Sequence, residues 1–116
     1  MSGIVFFGTE SPAEIVEFYT ETIGMSVWLE QPDCTILRYD NMLIGFCERS
    51  DADTDGIVTF VYETKAAVDA VYDDLGERAT DDPHENERYR IYQFFAEDPE
   101  GRTIEFQTFL HETEEI

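Results

Sequence analysis

The chain has 116 residues, 42% apolar and 14% aromatic, which fits one α+β domain with a packed core. Acidic residues number 27 against 7 basic ones, a formal net charge of −20 with a single lysine, Lys65. No basic stripe for nucleic acid exists, no apolar run is long enough for a transmembrane helix, and acids spread over loops, helix faces and tail suggest adaptation to concentrated salt.

The opening Met1-Ser2-Gly3-Ile4 has no basic region and no cleavage-like site, so the cytoplasm is the expected location. Residues 4–8 read as a short apolar strand. Ser11-Pro12-Ala13-Glu14 then reads as a helix start, with Ser11 as cap, Pro12 in the first turn and Glu14 closing a capping box. Ile15, Phe18, Tyr19 and Ile23 recur at helical spacing, and Gly24 ends the helix. Residues 25–30, 34–39 and 42–47 read as three strands, the last two joined by a tight turn at Asp40-Asn41.

The order then repeats. Residues 57–62 read as a strand, and Thr64 caps a helix carrying Val68, Val71, Tyr72 and Leu75. A weak strand is expected near Arg78–Thr80, then a polar loop from Asp81 to Arg88. Residues 89–96 and 102–109 form a hairpin around Asp98-Pro99-Glu100-Gly101. One constant shift aligns Ile4 with Ile57, Phe7 with Phe60, Ser11 with Thr64 and Tyr19 with Tyr72. A slightly longer one aligns Ile44 with Ile104 and Phe46 with Phe106. Two βαβββ modules follow, residues 1–50 and 55–110, with an acidic linker between them and an acidic tail at 111–116. A ferredoxin-like sandwich needs fewer main strands.

Glu17-Phe18-Tyr19-Thr20-Glu21-Thr22-Ile23-Gly24-Met25 and, more specifically, Asp98-Pro99-Glu100-Gly101-Arg102-Thr103-Ile104-Glu105-Phe106 resemble the vicinal-oxygen-chelate superfamily of glyoxalases, bleomycin-resistance proteins and extradiol dioxygenases. The resemblance covers nearly the whole chain. It implies paired βαβββ modules around an open cleft, a homodimer, and a divalent metal held from the first and last strands of each module. Of the four positions it implies, Ile4, Gly45 and Ile57 offer no donor, and only Glu105 does. A catalytic metal site needs about three protein ligands and an open position. The expectation is therefore no metal and no other cofactor, the alternative being a divalent metal at Glu105.

Other constellations are weaker. His84 falls in the polar loop and His111 in the tail. Asp51-Ala52-Asp53-Thr54-Asp55-Gly56 resembles the start of an EF-hand loop, but Tyr62 stands where the bidentate Glu belongs. Two cysteines make neither a disulfide framework nor a zinc knuckle. Counting back from Asp40-Asn41 sets Cys34 opposite Cys47 in a non-hydrogen-bonded pair, open to a disulfide, with two packed thiols as the favoured reading. The same count puts Leu37, Tyr39, Met42, Ile44 and Phe46 under the helix. It puts Arg38, Gly45 and Cys47 on the face shared by Glu105, and a count across the last hairpin adds Arg90, Tyr92 and Phe94. These seven residues are the expected ligand-binding cleft, apolar and aromatic with few charges.

The function expected from sequence is a metal-independent protein holding a small apolar or aromatic molecule. That reading leans away from enzyme activity. The alternatives are a metal-dependent lyase, isomerase or dioxygenase with displaced ligands, and a structural dimer.

Overall fold

A computed structural model describes residues 2–116, which divide into two compact units. The first comprises residues 2–55 and 98–102, the second residues 56–97 and 103–116. In the first, β1 (Ile4–Thr9) leads to α1 (Pro12–Glu17), extended as a π-helix over Phe18–Ile23. Then come β2 (Ser26–Glu30), β3 (Cys34–Tyr39) and β4 (Met42–Glu48). The sheet order is β1-β4-β3-β2, with β1 parallel to β4. The second unit repeats this with β5 (Ile57–Val61), α2 (Lys65–Leu75), β6 (His84–Asn86), β7 (Ile91–Glu97) and β8 (Thr103–Phe109), ordered β5-β8-β7-β6. Both modules are therefore βαβββ, as the repeat requires, and Ile44 and Ile104 lie in equivalent strands.

Local details correct the sequence reading in two places. Ser11 makes no side-chain cap; its own N–H instead donates to Thr9 Oγ1 at 3.1 Å, and only Pro12 keeps its expected role. Thr64 does cap α2, accepting from the Ala67 N–H at 3.1 Å. The third strand of the second module is His84–Asn86 rather than Arg78–Thr80, which contributes only an isolated bridge between Ala79 and Ala96. The Asp-rich loop serves as an anchor: the Asp53 carboxylate takes the Gly8 N–H and its carbonyl takes Arg102 Nε.

Each core is aromatic and lies between helix and sheet. In the first unit Ile15 and Tyr19 pack on Leu37, Ile44 and Phe46, with Tyr19 stacked on Phe46 at 4.9 Å. In the second, Phe60, Phe94 and Phe106 stack at 5.1–5.5 Å, and Tyr72 of α2 meets Phe94 edge-on.

Arg102 is the largest fully buried side chain among the described residues. It belongs to the first unit, where its guanidinium lies against the stacked Phe7 and Phe46 rings, 5.3 and 5.4 Å from their centroids. Nη1 donates to Asp98 Oδ2 at 2.7 Å, Nε to the Asp53 carbonyl and Nη2 to the Gly8 carbonyl. Asp98 Oδ2 also accepts the Tyr19 hydroxyl at 2.7 Å, while Oδ1 takes the backbone N–H groups of Glu100 and Arg102. Burial tends to lower the Arg102 pKa, but the hydrogen bond and charge of Asp98 outweigh it and raise it. A buried ion pair of this kind is tolerable because almost every donor and lone pair is used.

The same cluster gives the protein an alkaline limit. Burial, and then the Asp98 charge, push the Tyr19 phenol well above its ordinary value. The folded state therefore holds a proton that the unfolded chain releases above about pH 10. Tyr19 contributes fully below pH 10 and loses about 1.4 kcal/mol per pH unit above it. Urea melts between pH 9 and 11 should show this slope, and Tyr19→Phe should flatten it. An unchanged slope in that variant would place the alkaline limit elsewhere.

Cys34 and Cys47 are joined as a disulfide across β3 and β4, directly opposite one another as counted, with Cα atoms 4.0 Å apart. The expectation of two packed thiols is thereby corrected. The sequence count gave the pairing but carried no information on redox state. A loop of this length limits the unfolded chain by about 3 kcal/mol. Reduction should lower stability by that order in denaturant melts with and without dithiothreitol, and coincident curves would contradict it.

Candidate functional site

The face of each sheet turned away from its helix carries the candidate residues. Asp40-Asn41 forms the expected two-residue turn, so Tyr39 pairs with Met42 and Arg38 with Leu43. Arg38, Gly45 and Cys47 accordingly share the face of the first sheet away from α1. The last hairpin differs from the count. Its strands pair Glu97 with Thr103, so the connection spans five residues, 98–102, not four. Arg102 leaves the ladder to bury its side chain, and every assignment on β7 moves by one. Tyr92 and Phe94 therefore face α2: the Tyr92 hydroxyl donates to Asp69, which pushes its phenol up to about 12, and Phe94 lies in the core. Arg90 precedes the strand, exposed, with a left-handed φ of 53°. In their place Ile91, Gln93 and Phe95 share the face of Glu105, with Phe95 directly opposite it.

Glu105 is 8% exposed and surrounded by neutral donors. Thr59 Oγ1, its neighbour on β5, donates to Oε1 at 2.8 Å. Gln93 Nε2 donates to Oε2 at 2.5 Å, and Gln107 Nε2 reaches Oε1 at 3.3 Å. The network extends outward. Asn86 Oδ1 accepts the backbone N–H groups of Arg88 and Tyr89, which turns its amide nitrogen toward Gln93 Oε1 at 2.8 Å. That contact in turn fixes the Gln93 amide with its nitrogen toward Glu105. These polar groups floor a pocket of about 490 Å³ whose sides are Tyr89, Ile91, Phe95 and Phe109. Sequence reasoning missed Asn86, Gln93, Phe95 and Gln107. A five-residue connection in the hairpin count would have placed Gln93 and Phe95, and alternation from Glu105 along β8 would have placed Gln107.

The equivalent positions of the first sheet are chemically different. Phe6 occupies the place of Thr59, and its ring covers Gly45, the counterpart of Glu105. A Cβ at Gly45 would lie 2.4 Å from that ring. The glycine is thus required by the close approach of Phe6, and no ligand side chain fits there without moving it. The Cys34–Cys47 pair stands where Gln93 and Gln107 stand in the second sheet. Arg38 lines a smaller pocket of about 290 Å³ with Trp28, Ile4 and Leu43; its Nε donates to the Asp40 carbonyl at 3.1 Å.

A divalent metal does not fit these residues. Among the described residues no three His, Cys, Asp or Glu side chains come together. Ile4 and Ile57 are apolar, Gly45 is covered, and the neighbours of Glu105 are a hydroxyl and two amide nitrogens. One carboxylate without imidazole, thiolate or second carboxylate makes a poor transition-metal site. His84 contacts Asp81 and the Asp82 carbonyl, and His111 contacts Phe109 and the Glu112 carbonyl; neither lines the pocket.

Paired βαβββ modules with these features define a chain of the glyoxalase/bleomycin resistance/dioxygenase fold. A glyoxalase/bleomycin resistance protein/dioxygenase family enzyme from Burkholderia phytofirmans PsJN superimposes with a TM-score of 0.81 at 20% identity, covering 92% of this chain and 97% of that one. An integron cassette protein from the mobile metagenome of Halifax Harbour Sewage Outfall gives 0.79 at 17% identity, over 94% and 98%. Lactoylglutathione lyase from Agrobacterium tumefaciens gives 0.73 at 17% identity, over 93% and 91%. No family model and no curated protein matches the sequence.

Proposed function

We propose that the chain is a small-molecule-binding member of the vicinal-oxygen-chelate superfamily that holds an apolar or aromatic ligand in the Glu105 pocket without a metal. The observation that carries this reading is the occupation of the Glu105 carboxylate by Thr59, Gln93 and Gln107 beneath an aromatic rim. A pocket of this size with a few convergent polar groups suits a small organic molecule. The amide network takes the role of orienting group that a metal plays elsewhere. The homodimer expected from the resemblance belongs to the same proposal, and high salt should favour it by screening like charges.

The test is a titration of a library of small aromatic fragments into labelled protein, followed by backbone amide shifts. Saturable shifts are expected at Gln93, Phe95, Glu105 and Gln107, unchanged by EDTA. Shifts absent from these residues, or abolished by EDTA, would count against the proposal. Phe95→Ala should weaken fragment binding by about tenfold, because the ring directly opposite Glu105 supplies a wall of the pocket. Equal affinity in that variant would place the ligand elsewhere.

A further inference from the structure

Resting on that reading of the pocket, we infer that the ligand of the Glu105 site is a cation: a small aromatic molecule bearing an ammonium or amidinium group directed at the carboxylate. Four observations converge. First, the carboxylate at the pocket floor is nearly buried, yet its side-chain partners are neutral donors and no salt bridge among the described residues reaches it. Its formal negative charge is left to be balanced by whatever enters. Second, none of the residues lining the pocket is basic; Arg88 is not among them and lies over the Tyr89 ring at 5.6 Å.

Third, the amide network has a fixed polarity. The two backbone donors on Asn86 Oδ1 set the Asn86 amide, which sets Gln93, which aims its nitrogen at Glu105. Gln107 likewise turns its nitrogen toward the carboxylate, which leaves its Oε1 as an acceptor. With three donors already placed, the carboxylate retains acceptor capacity. The floor therefore offers the ligand two acceptor groups side by side, Glu105 and Gln107. A primary ammonium, with three donors, can satisfy both. Fourth, the rim supplies the rings of Phe95 and Phe109, whose faces attract a cation as well as an aromatic body. The net charge of −20 acts in the same direction, repelling anions from the whole surface.

Three probes of one shape separate the contributions: 2-phenylethylammonium, 2-phenylethanol and phenylacetate. Calorimetric titrations in 1 M potassium chloride remove long-range attraction, since the Debye length there is about 3 Å. The ammonium should bind at least about tenfold more tightly than the alcohol, as for a charge-assisted hydrogen bond in a desolvated site, and phenylacetate should not bind. In Glu105→Gln the ratio of ammonium to alcohol affinity should fall to about one. Equal binding of ammonium and alcohol by the wild-type protein would overturn the inference while leaving the pocket as a binding site. That comparison stands even if the variant fails to fold. A preference for the ammonium that survives in a folded Glu105→Gln variant would also overturn it. Binding of none of the three, together with no fragment shifts at the pocket, would remove the binding reading and the inference together.

Discussion

Arg102→Ala should lower the free energy of unfolding by about 3–5 kcal/mol, because it leaves Asp98 buried without its counter-charge. The side chain is wholly buried, and its guanidinium packs against the stacked rings of Phe7 and Phe46. Its loss removes an ion pair, bonds to the carbonyls of Gly8 and Asp53, and two ring contacts at once. Against a typical stability of about 5–15 kcal/mol, such a change is severe, so the melts belong in concentrated salt. Arg102→Met combined with Asp98→Asn should recover part of the loss, since the second change removes the stranded charge. Arg38→Ala, at an exposed position, should stay within about 0.5 kcal/mol. A loss below about 1 kcal/mol for Arg102→Ala would mean that this cluster does not hold the first unit together.

The second large effect is that of salt. The 27 acidic residues face seven basic ones, and one of those seven, Arg102, is consumed in the core. The single lysine, Lys65, pairs with Glu85. Repulsion within the folded chain is therefore largely uncompensated and should diminish as the Debye length falls from about 10 Å at 0.1 M to about 3 Å at 1 M. Unfolding separates the charges, so screening favours the folded state. Thermal melts should show a midpoint higher by about 10 °C or more in molar potassium chloride than at 0.1 M. Sodium and potassium chloride should act alike if screening is the cause. A flat or falling midpoint would contradict this.

The architecture was legible because local signals and the repeat agreed. The Asp40-Asn41 turn set the register of β3 and β4, and with it the opposition of Cys34 and Cys47 and the faces of Arg38 and Gly45. Glu105 was correctly turned away from Ile104 and Phe106 by simple alternation, since both neighbours are buried on the helix side. The site around it was only half legible, and one residue explains why. Counting Arg102 as the first residue of a strand is reasonable for a charged residue next to a turn. The structure instead buries it, lengthens the connection by one, and moves Tyr92 and Phe94 off the site face while bringing Gln93 and Phe95 onto it. A period of two carries no tolerance for such an error. Asn86 was hidden for a different reason: its strand is three residues long, polar, and paired only at the sheet edge, so no hydrophobic pattern marks it.

The first sheet explains why one half of the repeat carries the polar site and the other does not. Phe6 over Gly45 and the Cys34–Cys47 bond fill the positions that Thr59, Glu105, Gln93 and Gln107 occupy in the second sheet. Converting Gly45 to Glu would have to displace the Phe6 ring before any donor could reach the surface.

The central claim is that Glu105 works through Thr59, Gln93 and Gln107 and not through a metal. Metal analysis of protein purified without chelator, wild type beside Glu105→Gln, tests this most directly. The account predicts far less than one equivalent of zinc, iron, manganese or nickel per chain in both proteins. Near-stoichiometric metal in the wild type that disappears in Glu105→Gln would contradict it.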